Sequence, residues 1–184
     1  MKIVGLCGRA GAGKGSIVAI VKEFFPRVQI ISTGDATRQL LKSQDVEINH
    51  YNLQNITRGI LAERGADYIS FVFKLIDSDY PTTLIDSFRR VEDVACVKKT
   101  FGDPLVISVS APEKIRFDRL VARSRPSDAL DDSAFKDLTA LENSWGVEIL
   151  CRLAEIQIEN TGTHAELREQ TLAVLRQKFQ PYGG

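Results

Sequence analysis

The sequence predicts an α/β fold, with a five-stranded parallel sheet carrying helices on both faces. Three observations predict it. Five short apolar runs rich in Val, Ile and Leu read as strands, the first of them, KIVGLC, continuously apolar as in a strand covered on both faces. Segments of helical periodicity separate these runs, so the strands are joined by crossovers and run parallel. The first run ends in a glycine-rich turn that opens directly onto a helical pattern.

"KIVGLC" (2–7) is strand one, and a helix is expected over 16–25. "RVQIIST" (27–33) is strand two, ended by Gly34, with Asp35 opening the next helix. From 49 to 78 the spacing of Leu53, Ile56, Ile60, Leu61, Ile69, Phe73, Leu75 and Ile76 fits one or two helices, with a break at Gly65. "TTLIDS" (82–87) is strand three, followed by helix over 90–101, and "PLVISVSA" (104–111) is strand four. Pro112 suits the first turn of a helix running to Arg123. Residues 124–132 are polar and read as a loop, 133–153 as a helix, "EIQIEN" (155–160) as strand five, and 164–179 as a last helix.

A chain of 184 residues makes one domain with a real core. A formal net charge of zero argues against nonspecific nucleic-acid binding, which needs a basic excess, while still allowing a local basic cleft. No apolar run reaches the ~18 residues of a membrane span, and no secretory leader pattern is present. Cys7, Cys96 and Cys151 form no CxxC pair and are expected as reduced thiols in a cytoplasmic protein. His50 and His164 fall outside the motifs and are expected at the surface, and Trp145 in helix packing. No metal-ligand cluster is present.

Ligands of such sheets bind beyond the carboxyl ends of the strands. Gly8, Arg9, Ala10, Gly11, Ala12, Gly13 and Lys14 fit G-x-x-x-x-G-K at the end of strand one. That phosphate-binding loop needs this context between strand and helix. A loop so poor in Cβ atoms curls to point its amides at phosphate oxygens, the next helix adds its positive end, and Lys14 reaches the outer phosphates. The expected ligand of this loop is a triphosphate, which the resemblance below narrows to ATP with Mg²⁺. The usual hydroxyl after the lysine is replaced by Gly15, and Ser16 comes one later.

"GAGKGS" resembles the G-x-G-K-G-T loop of adenylate kinases and related nucleoside monophosphate kinases. "STGDATR" (32–38) is similar to their S-T-G-D-x-x-R segment. The resemblance implies that Thr33, Gly34 and Arg38 bind the acceptor, Arg38 by its phosphate, with Asp35 near the metal and the reacting groups. A helix cap is the plainer role for Asp35. "LIDSFRR" (84–90) puts Asp86 at a strand end, where a carboxylate orients metal-bound water. Adenylate kinases show D-G-F-P-R here, and archaeal dephospho-CoA-kinase-related ATPases D-G-x-R. Either Arg89 or Arg90 could face the acceptor, and Ser87 stands where the pattern has glycine, which is tolerable if the turn is not left-handed. "RFDRLVARSR" (116–125) sets Arg116, Arg119 and Arg123 on one helical face. It resembles the lid-entry helix of these kinases, which implies Arg119 and Arg123 at the donor nucleotide and moving phosphoryl group, and a short lid over about 124–135. Relatives carry further arginines after the lid; here "FKDLTALENSWG" offers only Lys136, so the lid supplies fewer cations or Lys136 and Arg152 substitute. "IENTGT" (158–163) resembles the adenine-contacting loop of dephospho-CoA kinases, implying Asn160, Thr161 and Gly162 at the base.

The resemblance covers residues 2 to about 178 and implies a P-loop NTPase fold, a single kinase domain over 1–184 with an acceptor-binding helical region over about 35–78. Lys14, Asp35, Arg89, Arg119 and Arg123 would be catalytic. The loop from Gly8 to Ser16 would hold ATP, and Ser16, Asp35 and Asp86 the metal, mostly through water. The expected activity is phosphoryl transfer from ATP to a nucleoside or deoxynucleoside monophosphate. Dephospho-CoA kinase and an ATPase module without small-molecule acceptor are the alternatives. Small nucleotides are the expected partners, rather than nucleic acid or membrane, with the chain a monomer or small homo-oligomer.

Overall fold

In the computed structural model, which describes residues 1–125 and 131–179, β1 (Lys2–Cys7) lies in the middle of five parallel strands. The spatial order is β2 (Val28–Ser32), β3 (Thr82–Phe88), β1, β4 (Leu105–Ser110) and β5 (Ile156–Glu159). Chain order and spatial order part at β1, whose two neighbours are β3 and β4. Such a switch point opens a crevice at the carboxyl ends of the strands, and the glycine loop leaves β1 there.

Strand alternation explains the two cores. Val4 and Leu6 face one side, where α1 (Lys14–Phe24) and α8 (His164–Lys178) cover the sheet with Ile17, Ile20, Leu172 and Leu175. Ile3 and Cys7 face the other, beneath Tyr68, Ile69, Val97 and Leu150. Each fully buried Leu or Ile contributes about 1.5–3 kcal/mol relative to exposure, so both faces are needed to hold a sheet this apolar. Gly5 shares the second face because Phe88 lies over it, and a Cβ there would collide with the Phe88 ring.

Residues 35–78 become α2 (Thr33–Ser43), α3 (His50–Arg64) and a 3₁₀ segment (Gly65–Leu75), with the break at Gly65 as expected. β3 is followed by α4 (Val91–Phe101), and β4 by α5 (Glu113–Arg123). The helix expected over 133–153 is two, α6 (Asp132–Trp145) and α7 (Val147–Leu153), because Gly146 adopts a left-handed φ of 77° and ends the first. α1 starts at Lys14, two residues earlier than expected. Of the expected lid, 126–130 lie outside the described residues; α5 stops before Ser124, and Asp131 caps α6 by accepting the Ala134 amide at 2.8 Å.

Ser87 corrects one expectation. Leu6 pairs with Asp86 but Cys7 pairs with Phe88, so Ser87 is the extra residue of a bulge, at φ 78°. The turn is left-handed after all, and a serine occupies a conformation that glycine fills without strain.

Candidate active site

The carboxyl ends of β1, β2 and β3 open into one cleft of about 650 Å³, within the usual size of small-molecule sites. The glycine loop forms its floor. Gly13 caps α1 at φ 111° with no side-chain cap, which leaves the first amides of the helix for an external acceptor. A Cβ on Gly13 would collide with the Asn160 amide, and one on Gly11 with the Arg116 carbonyl. Packing therefore demands glycine at both positions. The Lys14 ammonium folds back to donate to the carbonyls of Gly8 at 2.7 Å and Arg9 at 3.2 Å. Burial pulls its pKa below the usual lysine value, against the attraction of Asp86 and Glu142.

Three contacts brace the loop from behind. Asn160, at the end of β5, donates to the Ala12 carbonyl at 2.8 Å, and Arg119 on α5 donates to both Asn160 oxygens at 3.3 Å. Arg119 lines the cleft, and its Nη1 is buried without a partner. Arg116 donates to the Ala10 carbonyl at 3.2 Å, while Glu142 on α6 accepts the Ala10 amide at 2.7 Å. Arg116 and Glu142 are both buried and 3.9 Å apart. Arg9 turns toward α6 and α7, donating to Asn143 at 2.6 Å and Glu148 at 3.0 Å.

On the opposite wall, the Asp35 amide donates to the Ser32 hydroxyl at 3.1 Å, which caps α2. Its carboxylate pairs with Arg38 at 2.5 Å, and both side chains line the cleft with Gln54 and Thr57 of α3. Asp86 lines it at the end of β3 and accepts the Ser87 hydroxyl at 3.2 Å. The two arginines after β3 part company. Arg89 lines the cleft, its guanidinium 4.6 Å from the centre of the Trp145 ring. Arg90 turns away to donate to the Gly65 carbonyl at 2.8 Å and to pair with Asp93 at 3.5 Å. Asp93 fixes this turn, accepting the Arg89 and Arg90 amides at 2.9 and 3.1 Å. Its burial raises its pKa, while those amides and the Arg90 guanidinium act against the rise.

Gly11, Gly13, Lys14, Gly15, Ser16, Gly34, Asp35, Arg38, Asp86, Arg89, Arg119 and Arg123 thus meet at the cleft. Arg116 shares a helical face with Arg119 and Arg123 but serves the loop at its near end. Thr33 is buried as the first residue of α2, and Thr161 and Gly162 stand exposed beyond β5, away from the cleft wall. Lys136 is not on that wall, and Arg152 pairs with Glu148 at 3.3 Å. Trp145, expected as packing, is a wall of the cleft. Glu142, Trp145 and Asp93 carry no motif, and a lone acid or aromatic on a helical pattern gives no signal of what it faces.

A P-loop floor under a five-stranded parallel sheet, with a helical wall beyond β2, is a P-loop NTPase fold. Among solved structures the chain is similar to TT1252 from Thermus thermophilus, with a TM-score of 0.58 and 15% identity over 97% of this chain and 98% of that one. It is also similar to the shikimate kinase of Acinetobacter baumannii, solved with shikimate, with a TM-score of 0.55 and 14% identity over 100% and 96% of the two chains. At these identities the likeness is one of fold. No family model matches the sequence. Among curated sequences it is 26% identical over 180 residues to a UPF0200/UPF0201 protein of Archaeoglobus fulgidus, covering 95% of this chain but 55% of that protein. The chain thus spans about half the length of that relative. It is also 26% identical over 178 residues to a UPF0200 protein of Methanosarcina barkeri, covering 95% of each.

Proposed function

We propose that the chain is an ATP-dependent kinase, acting as a single domain, that phosphorylates a nucleoside or deoxynucleoside monophosphate. One observation carries the reading: the loop floor with Lys14, Arg119 and Arg123 opens onto the same cleft as Arg38 and Arg89 on the opposite side. A triphosphate on the floor and an acceptor phosphate between Arg38 and Arg89 would bring two nucleotides end to end. The S-T-G-D-x-x-R resemblance points the same way.

In this reading the glycine-loop amides and Lys14 hold the β- and γ-phosphates. Asn160 and Arg119 flank the donor base side, and Arg38 leaves Asp35 to grip the acceptor phosphate. An acceptor oxygen forms the new bond to the γ-phosphorus as the bond to the ADP oxygen breaks. The protein's part is alignment and neutralisation of charge, by Lys14, Arg89, Arg119 and Arg123. Among the described residues no group of three or more His, Cys, Asp or Glu could hold a metal. Ser16, Asp35 and Asp86 instead offer scattered hard oxygens at the cleft, which suit Mg²⁺ that keeps its waters and binds through phosphates. Bound there, the ion would supply charge neutralisation at the phosphates. No helix among the described residues is long and apolar enough to cross a membrane, and a cytoplasmic enzyme is the reading we adopt.

A hydroxyl acceptor such as dephospho-CoA is the second reading. The Asp35 carboxylate at the cleft is the group that could take a hydroxyl proton. ADP release measured with AMP, CMP, GMP, UMP, their deoxy forms, dephospho-CoA and no acceptor separates the readings. Stimulation by a monophosphate is expected; stimulation by dephospho-CoA alone, or full turnover without acceptor, overturns the proposal. Lys14→Ala should abolish turnover, removing transition-state stabilisation on the order of several kcal/mol. Arg38→Ala should raise the acceptor KM while leaving that for ATP near its starting value.

A further inference from the structure

We propose that Cys7 and Cys151 form a redox-modification site: a hydroperoxide oxidises Cys151, and Cys7 converts the product into a disulfide that ties α7 to the strand beneath the glycine loop. The two sulfurs lie 3.7 Å apart although 144 residues separate them in sequence. Cys7 is the last residue of β1 and is fully buried; Cys151, on α7, is partly exposed and packs on the same core. Neither residue handles phosphate in the reading above, so nucleotide chemistry does not account for the pair.

Their surroundings divide the labour. Contact with Cys7 and the nearby cations of Lys14 and Arg9 lower the Cys151 pKa, against burial and Glu142. Cys7 is driven the other way by that same contact and by its burial. Cys96, the third cysteine, is pushed up to about 11, mainly by burial. The thiolate is the reactive form, so Cys151 is the sulfur that a small peroxide meets first.

The step balances. The Cys151 thiolate attacks one peroxide oxygen, the O–O bond breaks, and with a proton from solvent the products are a sulfenic acid and water. The Cys7 sulfur then attacks the sulfenyl sulfur, forms the S–S bond and gives up its proton, and the hydroxyl leaves as a second water. Two thiols are oxidised, and one hydrogen peroxide is reduced. To reach a disulfide length of about 2.05 Å the sulfurs close by roughly 1.6 Å from their 3.7 Å contact. Arg9, two residues beyond Cys7, is already held by Glu148 of α7 at 3.0 Å. The link therefore pulls on a loop anchored to the same helix, and weaker ATP binding is its expected consequence. That consequence alone rests on the nucleotide reading.

The test is peroxide treatment of the reduced, folded chain, followed by alkylation of free thiols and trypsin digestion without reductant. Cleavage puts Cys7, Cys96 and Cys151 on separate peptides, 3–9, 91–98 and 137–152. The expected result is a linked 3–9/137–152 species, lighter by two hydrogens, forming before any change at 91–98. Cys151→Ser should abolish it, and Cys7→Ser should leave Cys151 to oxidise on to sulfinic acid. A Cys151 that reacts no faster than Cys96, or a link that forms only in urea, overturns the proposal. A fluorescent ATP analogue with Mg²⁺ should bind the linked protein several-fold more weakly than the reduced one; equal affinity overturns the coupling to the loop. Failure of the reduced protein to bind the analogue would instead count against the kinase reading, and the peptide masses would still decide the disulfide.

Discussion

Glu142→Ala tests the brace behind the glycine loop. Glu142 and Arg116 have side chains 3% and 4% exposed and 3.9 Å apart. Removing one partner of a buried ion pair costs about 3–5 kcal/mol, because the other charge stays buried. The Ala10 amide also loses its acceptor at 2.7 Å, and an unsatisfied amide costs about 1–3 kcal/mol. The two losses do not add in full. Arg116 keeps its bond to the Ala10 carbonyl at 3.2 Å and its place 5.1 Å from the Phe135 ring centre. Ala10 borders the open cleft, so water can reach the freed amide. The expected loss is therefore near the lower end, about 3 kcal/mol, or more than a hundredfold in the folding equilibrium.

Urea unfolding followed by far-ultraviolet circular dichroism measures it, with Glu142→Leu, Arg116→Met and the double variant Glu142→Leu/Arg116→Met forming a closed cycle beside it. Each single change should be strongly destabilising. The pair together should return to within ~1 kcal/mol of the parent, since apolar replacement of a buried ion pair is often neutral. A loss below ~1 kcal/mol for Glu142→Ala, where buried pairs cost several times that, would refute the reasoning. Additive effects across the cycle would do the same.

Three further outcomes follow from single contacts. Trp145→Ala removes the ring 4.6 Å from Arg89, a contact worth about 0.5–2 kcal/mol; acceptor KM should rise by roughly 2- to 30-fold with ATP KM little changed, and an equal rise in both would show that the ring serves the whole cleft. Lys14→Met should raise the melting temperature at pH 7 while ATP binding is lost. The folded-state pKa of Lys14 lies below its free value of 10.5, so the folded chain binds fewer protons there. The charged ammonium costs stability below the folded pKa, and this cost fades as pH rises toward 10.5. A parent more stable than Lys14→Met at pH 7 would contradict this. Ser87→Gly should stabilise by about 0.5–1 kcal/mol, since a left-handed L-residue costs about 1–2 kcal/mol and glycine gives back about 0.5–1 in chain entropy; a loss in calorimetric stability would show that the Ser87 hydroxyl on Asp86 matters more than the strain.

The sheet was legible because β1, β3 and β4 bury residues on both faces, while β5 alternates buried Ile156 and Ile158 with exposed Gln157 and Glu159, the other pattern a strand can show. The floor was legible because G-x-x-x-x-G-K codes a backbone shape, although the partners that brace it, Asn160, Arg116 and Glu142, come from distant segments. The walls were harder to read. Periodicity cannot separate a 3₁₀ segment from an α-helix over 65–75, nor show that a left-handed Gly146 splits one helical pattern in two. The bulge at Ser87 depends on the register between β1 and β3, a pairing that local sequence does not specify. The Arg89/Arg90 choice was open for the same reason. Asp93, three and four residues on, binds both amides and sends one side chain to Gly65 and the other to Trp145.

Charge shows most clearly why the site exceeds its motifs. The chain as a whole is neutral, yet among the described residues seven lysines and arginines line the cleft against Asp35, Asp86 and Glu142. Two of those acids are already engaged, Asp35 with Arg38 and Glu142 with Arg116. A cleft with low-dielectric walls and one sign of charge concentrates its field. Net charge, an average over the surface, carries no trace of this, because acids elsewhere offset the cations. What gathers them is topology. Lys14, Arg38, Arg89 and Arg119 follow β1, β2, β3 and β4, and parallel strands place every such following segment at the same edge of the sheet. The parallel direction of the strands, more than any one motif, gathers this positive charge at one edge.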